Sequence, residues 1–374
     1  MRVIVTGGGT SGHVNPALAI ANTIKKNIPD SEIIFVGTNR GIENKLVPKA
    51  GYKLYHVEVR GIRRSLSLSN IKSLYLAFTS PFKARKLIRE FKPDIVIGTG
   101  GYVCWPVMKA ASDLGIPTAL HESNSIPGVA IKMLAKHVDR IFVNFEATKE
   151  KFAEEYRNKT VRVGNPLRPE FLTLDSQSAR EKLGITGKYE KFILSCGGSM
   201  GAQRINEAIL ALMRDYTSKH PEILHLHATG SIEYEASKAM FKQYGLGAYD
   251  NLKLVEYIYD MPEQMAAADL VINRAGAMTL SELAILKKRA LLIPSPNVTD
   301  NHQYKNAHEL ERAGAAMLIE ERDLTGDTLK DAVEKLLFDP NSESFCESIA
   351  AFACPDAEKK IFNDITELVK NRKK

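Results

Sequence analysis

Short apolar runs rich in β-branched residues alternate with longer segments of helical spacing along the whole chain. The strands predicted in the first half lie at residues 2–6, 32–36, 53–57, 94–98, 118–121 and 140–143. Those predicted in the second half lie at residues 192–196, 223–228, 252–256, 270–273, 290–293 and 316–319. Such nearly continuous apolar strands are typical of parallel sheets that are covered on both faces. The intervening segments are long enough for crossover helices, so the pattern predicts an α/β protein.

Both halves begin with a strand, a glycine-rich loop and a helix. The first loop reads GGGTSGH at residues 7–13. We expect the following helix to begin at Asn15-Pro16, because Asn is a good N-cap and Pro suits the first helical position. The second loop reads GGSMGA at residues 197–202 and leads into a helix through Asn206 and Leu210. Two such starts predict two doubly wound domains.

A chain of 374 residues has the length expected of two domains. Residues 163–169 contain Gly164, Pro166 and Pro169, which interrupt the strand and helix pattern. We therefore predict one domain at residues 1–163, joined by a C-terminal helix at about residues 350–374, and a second domain at residues 164–349. Ligands of such folds bind beyond the carboxyl ends of the strands, so two facing domains would form one cleft.

Composition narrows the class of protein. Hydrophobic residues make up 44% and charged residues 25% of the chain, as in soluble globular proteins. No apolar run reaches the length of about 18 residues that a transmembrane helix needs. The N-terminus is a short strand followed by glycines, so we expect no signal peptide. The four scattered cysteines form no Cys-x-x-Cys pair and fit a reducing cytosol.

The net charge of +7 comes from one segment. Residues 60–89 contain eight basic residues and no Asp or Glu, whereas the rest of the chain has 43 basic against 44 acidic residues. Interleaved apolar residues at helical spacing make this segment better suited to an anionic membrane surface than to nucleic acid. The residues expected to face the membrane are Ile71, Lys72, Leu74, Tyr75, Phe78, Phe82, Lys83, Arg85 and Lys86.

The first glycine loop matches the dinucleotide fingerprint Gly-x-Gly-x-x-Gly at Gly7, Gly9 and Gly12. NAD-binding proteins also carry an acidic residue at the end of the second strand, whereas residues 36–40 here read VGTNR. Arg40 would suit the phosphate of NADP, so an NADP-dependent oxidoreductase stays open on these residues. The loop also ends in His13, which a pyrophosphate-binding turn does not require.

The second glycine loop matches the nucleophile elbow of α/β-hydrolases, with Ser199 as the nucleophile. Asp269 and His302 would be the downstream acid and histidine, but an oxyanion loop is not evident. A third glycine-rich turn, GTGGY at residues 98–102, also follows a predicted strand. Because glycine turns let backbone amides approach anionic oxygens, three of them at strand ends favour a phosphorylated ligand.

A fourth candidate site reads NRAGAMTLSE at residues 273–282, where a strand ends and a helix is predicted to open near Met278. Backbone amides at a helix start bind diphosphates. Glu282, in the first or second turn, would accept hydrogen bonds from both hydroxyls of a ribose. The alternative is that Glu282 only complements the helix dipole.

Five motifs occur in one order: GGGTSGH at 7–13, HESNSIPG at 121–128, GNPLR at 164–168, GGSMG at 197–201 and RAGAMTLSE at 274–282. Through them the chain resembles the MurG family of peptidoglycan glycosyltransferases over nearly its whole length. The resemblance implies the GT-B fold, two Rossmann-like doubly wound domains that face a cleft. It implies transfer of N-acetylglucosamine from UDP-N-acetylglucosamine to the muramyl sugar of lipid I, giving lipid II. It also implies a peripheral protein at the cytoplasmic face of the plasma membrane.

The resemblance also implies roles for individual residues. The acceptor would contact His13, Gly100, Gly101, Tyr102 and Asn124. The donor contacts implied are Thr10, Ser11, Gly12, Asn124, Arg168, Ser199, the Ile258 backbone, Ala277, Met278, Thr279, Leu280, Ser281, Glu282 and Gln303. Of these, Ser199 would meet the diphosphate, Ile258 the uracil and Gln303 the sugar hydroxyls. Ser123 and Asn15 stand where many members have glutamine and an aromatic residue, which leaves acceptor-side detail open.

The implied reaction inverts the anomeric carbon in one displacement. The acceptor hydroxyl must lose a proton, and a histidine suits that task, so His13 is the candidate base and Glu122 the rival. The alternative is that His13 only forms a hydrogen bond within the loop or binds a phosphate. The helix amides at residues 277–279 would stabilise the departing UDP without a metal, and no cofactor is expected. The chain has no Asp-x-Asp, which argues against the metal-bound diphosphate of the other common sugar-transferase fold.

Expected partners are the donor, lipid I, an anionic membrane surface and other cell-wall synthesis proteins, but not nucleic acid. The residues are also compatible with two further functions. One is a glycolipid synthase that uses another UDP-sugar and another lipid. The other is a protein that binds a UDP-sugar without transferring it.

Overall fold

The structure, a computed structural model, describes residues 1–59, 69–198 and 200–372, and within residues 69–79 it describes only the backbone. The chain divides into an N-terminal unit, Met1–Leu167 with Cys354–Lys374, and a C-terminal unit, Arg168–Ala353. The divisions predicted from the sequence are at residue 163 and at about residue 350. Within the described residues, no helix combines the length and apolar composition needed to cross a membrane.

The N-terminal unit is a doubly wound α/β structure. Its strands are β1 Arg2–Thr6, β2 Glu32–Gly37, β3 Lys53–His56, β4 Ile95–Gly98, β5 Thr118–Glu122, β6 Arg140–Val143 and β7 Thr160–Arg162. Its first helices are α1 Ser11–Asn27, α2 Glu43–Lys49, α3 Ser69–Phe91, α4 Cys104–Asp113, α5 Val129–Leu134 and α6 Glu154–Arg157. The strands are parallel and lie in the order β3-β2-β1-β4-β5-β6-β7. Alternate residues of β1 reach opposite cores, Val3 and Val5 one and Ile4 the other, which explains the continuous apolar pattern.

The C-terminal unit repeats this plan. Its strands are β8 Lys191–Cys196, β9 Ile223–Ala228, β10 Leu252–Val255, β11 Leu270–Asn273, β12 Arg289–Leu292 and β13 Met317–Leu318. Its helices are α7 Glu170–Thr173, α8 Ser176–Lys182, α9 Gln203–Asp215, α10 Tyr234–Gln243, α11 Met261–Ala267, α12 Ala277–Ile285, α13 His302–Arg312, α14 Gly326–Phe338 and α15 Glu343–Ala350. The described strands are parallel in the order β10-β9-β8-β11-β12-β13. The α/β prediction is confirmed in both units.

The last helix, α16 Ala357–Arg372, returns to the N-terminal unit. Ile361, Ile365 and Val369 recur on one helical face and are buried in the core that α1 also covers. Arg140 at the start of β6 forms an ion pair with Asp364 over 2.8 Å. The C-terminal helix therefore completes one face of the N-terminal sheet.

Two details differ from the sequence predictions. The helix predicted to begin at Asn15-Pro16 begins one turn earlier, at Ser11, with Thr10 in the extended N-cap conformation and Pro16 inside the helix. That prediction is wrong because the amides of His13 and Val14 both donate to the Thr10 carbonyl and close an extra turn. Strand β7 was not predicted. It is short, polar and at the sheet edge, so it lacks the apolar pattern of a buried strand.

In each sheet the strand order reverses beside the first strand of the unit. The loops that follow β1 and β4 are therefore neighbours, as are the loops that follow β8 and β11. Ligands of doubly wound sheets bind at this switch point, outside the carboxyl ends of the strands. The glycine-rich turns singled out in the sequence occupy these two places.

Candidate active site

The glycine turns at residues 7–13 and 98–102 form one interlocked structure. The Gly8 amide donates to the Gly100 carbonyl over 3.3 Å, and the Thr99 hydroxyl donates to the His13 carbonyl over 2.7 Å. Gly100 and Gly101 have φ of 113° and 86°, a region that favours glycine, and a Cβ on Gly101 would collide with the Gly8 carbonyl. These glycines serve the close approach of two loops within the protein.

His13 lies in the first turn of α1, half-buried against this structure. Its Nδ1 is 3.0 Å from the Gly8 carbonyl and 3.3 Å from the Thr10 hydroxyl. Because a carbonyl oxygen only accepts hydrogen bonds, the neutral form of the ring carries its proton on Nδ1 and its lone pair on Nε2. A Cβ on Gly100 would lie 2.9 Å from Nε2, so the ring edge that includes Nε2 faces the turn assigned to the acceptor. The geometry therefore gives His13 the tautomer of a general base.

Glu43, which the sequence analysis missed, supports the same loop. It is fully buried, and its Oε2 accepts from the Gly9 amide over 2.9 Å. Its Oε1 accepts from the Thr38 amide over 2.9 Å and from the Thr38 hydroxyl over 2.8 Å. Burial alone would raise the pKa of Glu43, but the hydrogen bonds from Gly9 and Thr38 outweigh it and keep the pKa below its usual value. The available signal was an acid a few residues beyond the second strand, just after Gly37 and Gly41 and at the start of α2.

Glu122, the rival base, ends β5 and is buried. Its Oε1 accepts from the amide and side chain of Asn124 over 2.9 and 3.0 Å, and its Oε2 accepts from the Gly128 amide over 2.9 Å. Both oxygens thus shape the loop that holds Asn124. Thr10, Ser11, Gly12 and Tyr102 are exposed.

In the C-terminal unit, the turn after β11 opens α12 at Ala277, with Gly276 as an N-cap that has no side chain. Met278, Thr279 and Glu282 are only partly buried and recur at helical spacing, so they share one accessible face. Leu280 is buried in the core, and Ser281 donates to the Ala277 carbonyl over 3.2 Å. These two residues support the helix from behind.

The environment of Glu282 is unusual for a carboxylate. Burial raises its pKa to about 7, and the positive charge of Arg168 acts against that rise. Arg168 is exposed, with its guanidinium 5.1 Å from the centre of the Phe171 ring. An acid whose pKa lies near 7 because of burial is a candidate ligand-binding group. A ligand that donates hydrogen bonds to it would stabilise its charged form.

Two more predicted donor residues lie in this unit. Gln303, at the start of α13, accepts from the Ser295 amide through Oε1 over 2.9 Å, which orients its NH₂ group. Asp300 and Asn301 just before it both have left-handed φ, 55° and 51°, a strained conformation that recurs at functional sites. Ile258 is buried in the loop after β10. Ser199 lies outside the described residues.

A buried hydrogen-bonded chain runs behind the second glycine loop. Ser195 Oγ is 2.9 Å from both His225 Nε2 and His227 Nδ1, and His227 Nε2 is 3.1 Å from the Asn206 oxygen. Asn206 donates to the Thr229 carbonyl over 3.0 Å, against which the glycine loop packs. Burial lowers the pKa of His227 to about 4 and that of His225 well below its usual value, so both are neutral at pH 7. The alternation His-Leu-His on β9 was the available signal.

The hydrolase alternative fails on topology. Asp269 precedes β11 and accepts from the Phe192 amide over 2.7 Å, at the end of the sheet where β8 begins. The glycine loop that contains Ser199 follows β8, at the opposite end. Asp269 therefore lies at the wrong end of the sheet to serve a nucleophile in that loop. His302 Nδ1 instead contacts the Thr299 carbonyl over 2.9 Å.

Part of the basic segment can be described. The predicted membrane side chains Ile71, Lys72, Leu74, Tyr75 and Phe78 lie outside the described residues, although their backbone belongs to α3.

The remaining four predicted residues lie at the described end of α3, where their environments differ. Phe82 is 67% exposed, and Lys83 and Lys86 are also exposed. Arg85 forms an ion pair with Asp113 of α4 over 2.6 Å. Arg85 is therefore engaged by an acid of another helix, whereas Lys86 has a longer and exposed contact of 3.9 Å with Glu90 of its own helix.

Comparisons with known proteins identify the family of the chain. The chain matches the family model of the glycosyltransferase family 28 N-terminal domain over residues 3–143 and that of the C-terminal domain over residues 192–368. An Acetivibrio thermocellus protein, UDP-N-acetylglucosamine--N-acetylmuramyl-(pentapeptide) pyrophosphoryl-undecaprenol N-acetylglucosamine transferase, is 43% identical over 100% of this chain and 99% of its own. A Bacillus cereus protein of the same name, numbered 1, is 41% identical over 99% of this chain and 100% of its own.

Solved structures give the same result. The crystal structure of Acinetobacter baumannii MurG has a TM-score of 0.78 and 26% identity, and the match covers 98% of this chain and 99% of that one. A Neisseria meningitidis UDP-GlcNAc 2-epimerase, at a TM-score of 0.65 and 16% identity over 98% of this chain and 100% of that one, shows only a shared fold. The predicted GT-B fold is confirmed. The chain belongs to glycosyltransferase family 28 and, within it, to the MurG family.

Proposed function

We propose that this protein transfers N-acetylglucosamine from UDP-N-acetylglucosamine to the muramyl sugar of lipid I and so forms lipid II. The full-length similarity to the Acetivibrio thermocellus enzyme, at 43% identity, carries this proposal, because the name of that enzyme states both donor and acceptor. The residues at the two switch points include a candidate base and a helix start that suits a diphosphate, and both fit this reaction. NADP-dependent oxidation has no comparable support.

His13 is the proposed general base. The acceptor oxygen bonds to the anomeric carbon of the donor while the bond from that carbon to the diphosphate oxygen breaks. The electron pair leaves with UDP, and the hydroxyl proton passes to His13 Nε2, which the Nδ1 contact with Gly8 leaves unprotonated. A single displacement inverts the carbon. Glu122 is the weaker candidate, because both of its oxygens already accept hydrogen bonds from its own loop.

The C-terminal unit is proposed to bind the donor. The positive end of α12 favours the diphosphate and the charge that gathers on it as UDP leaves. Glu282, on the accessible face with Met278 and Thr279, would accept from the ribose hydroxyls. The NH₂ group of Gln303, oriented by its bond to Ser295, would donate to the sugar. Ile258 would contact the uracil through its backbone, and Arg168 would supply positive charge beside Glu282.

Docking at an anionic membrane surface, on the cytoplasmic face, is proposed for the end of α3. Phe82 is the exposed apolar residue, and Lys83 and Lys86 are the exposed cations beside it. Each such cation near the surface contributes about 1 kcal/mol, screened by salt. Arg85 is excluded from this set by its partly buried ion pair with Asp113 over 2.6 Å, whereas the contact of Lys86 with Glu90 is exposed and spans 3.9 Å.

A transfer assay tests the function. The protein is incubated with radiolabelled UDP-N-acetylglucosamine and a lipid I analogue, and label is expected in the lipid fraction. Melting temperatures with UDP, with NADPH and in buffer alone separate the alternatives, since a ligand at about 100 times its Kd stabilises by roughly 2.7 kcal/mol. Stabilisation by UDP without transfer to this or another lipid would indicate a binding protein. Stabilisation by NADPH but not by UDP would instead support an NADP-dependent oxidoreductase.

A further inference from the structure

One peptide group stands between Glu43 and His13. The N–H of Gly9 donates to Glu43 Oε2 over 2.9 Å, and the carbonyl of Gly8 accepts from His13 Nδ1 over 3.0 Å. This N–H and this carbonyl belong to the same planar amide, so the two hydrogen bonds are in series. A hydrogen bond to a carboxylate polarises the amide and makes its carbonyl a stronger acceptor.

The surroundings of Glu43 are built to keep its carboxylate in this place. A Cβ at Gly8 would lie 2.5 Å from Oε1, and a Cβ at Gly37 would lie 2.7 Å from the Glu43 Cγ. A side chain at Gly41 would collide with the carboxyl group as well. Three glycines thus make room for one acid. Its oxygens are held by two backbone amides and a hydroxyl, which favour the ionised form.

We propose that Glu43 is a positioning residue for His13 and acts through the peptide group between Gly8 and Gly9. It keeps the proton on Nδ1, the lone pair on Nε2 and the ring in place. It also stabilises the imidazolium that forms when the acceptor proton arrives. The arrangement resembles the carboxylate that orients the histidine of a hydrolytic triad, with an amide inserted between the two side chains. This inference rests on the proposed role of His13 as the base.

The test compares Glu43→Gln with His13→Ala and with the double variant. Glutamine has the same shape, but its NH₂ group must face either the Gly9 or the Thr38 amide, and two donors repel. We expect kcat at saturating donor and acceptor to fall roughly 10- to 100-fold, by analogy with the loss of a carboxylate that orients a metal-binding histidine. Nitrogen NMR of the imidazole should show a growing population with the proton on Nε2. The double variant should be no slower than His13→Ala.

Asp139→Asn is the matched control. Asp139 also accepts from a backbone amide and a hydroxyl, both of Thr118 and both over 2.8 Å, in the same unit. Its replacement should lower the melting temperature without changing the His13 tautomer. Should Glu43→Gln fail to fold, Glu43→Asp retains the charge but lengthens the Gly9 contact, and the tautomer population must still shift in the same direction.

The possible outcomes separate the two proposals. A near-normal kcat in His13→Ala overturns the proposed base. A slow His13→Ala beside a Glu43 variant of normal rate and tautomer overturns only the role of Glu43. A double variant much slower than His13→Ala also overturns it, because Glu43 would then act elsewhere.

Discussion

Replacement of Glu282 by glutamine should stabilise the ligand-free protein and weaken its binding of UDP. Burial raises the pKa of Glu282 from an ordinary value of 4.5 to about 7. Between these two pH values the unfolded chain loses the Glu282 proton while the folded chain retains it. The wild-type protein therefore loses stability as the pH rises through this range, and above about 7 the loss is complete. Glutamine does not ionise, so the variant escapes the loss.

The size of the effect follows from the pKa. Each pKa unit corresponds to about 1.4 kcal/mol, so the rise sets an upper bound of about 3.5 kcal/mol at pH 8. Glu282 is partly accessible to solvent, and a gain of about 1–3 kcal/mol in the free energy of unfolding is the expected range. No gain is expected below pH 4.5, where both states of the wild type carry the proton. UDP binding should weaken by about 1.5–3 kcal/mol, the worth of a hydrogen bond to a charged group.

Urea denaturation at pH 4 and pH 8 measures the first effect and calorimetry with UDP the second. The single tryptophan, Trp105, belongs to the N-terminal unit, so unfolding is followed by circular dichroism. Glu263→Gln is the control, because a hydrogen bond from Lys182 lowers the pKa of Glu263 and its replacement should bring no gain at pH 8. Equal gains at both pH values would refute the burial argument, and unchanged UDP affinity would refute the ribose contact.

Four further outcomes are expected. His13→Ala should lower kcat by roughly 10²–10⁴ with UDP affinity unchanged in calorimetry, whereas a fast variant would place the base elsewhere. Gly100→Ala, at φ 113° and with a Cβ 2.6 Å from the His13 ring, should lower kcat and the melting temperature together, and normal kinetics would refute that packing. Lys83→Ser with Lys86→Ser should reduce sedimentation with anionic vesicles without affecting turnover of a short-chain acceptor. Arg85→Ser should mainly lower the melting temperature, and binding insensitive to salt and both lysines would contradict the docking surface.

The sequence predicted most of the architecture because buried parallel strands leave a strong local signal. All twelve predicted strands are present, with bounds that differ by at most one residue at either end. The strand β7 and the first turn of α1 escaped prediction for a shared reason. Both depend on hydrogen bonds to neighbouring backbone rather than on apolar periodicity, as at the Thr10 carbonyl. The preference of Pro16 for a helix start did not decide where α1 begins, because local hydrogen bonds to the Thr10 carbonyl add a turn before it.

The sequence also identified the motifs, but it could not tell which of their side chains face a ligand. Residues 277–282 form one motif, yet Leu280 is buried in the core whereas Met278 and Glu282 are accessible. The pairing of Arg85 with Asp113 shows the same limit, because the acid comes from a different helix, 28 residues later. A charge count within one segment cannot detect such a partner.

The glycines show what a sequence pattern can and cannot specify. A glycine signals that something approaches the backbone closely, and in a loop after a parallel strand a phosphorylated ligand is the natural expectation. Around β1 and β2 the approaching group is instead the carboxylate of Glu43, which occupies the space left by Gly8, Gly37 and Gly41. Where an acid lies within a few residues of a second glycine cluster, the space beside the first glycine loop can therefore be filled by that carboxylate rather than by a ligand. Here Glu43 is connected to His13 through one peptide group, so the proposed role of this loop includes the chemical step as well as binding.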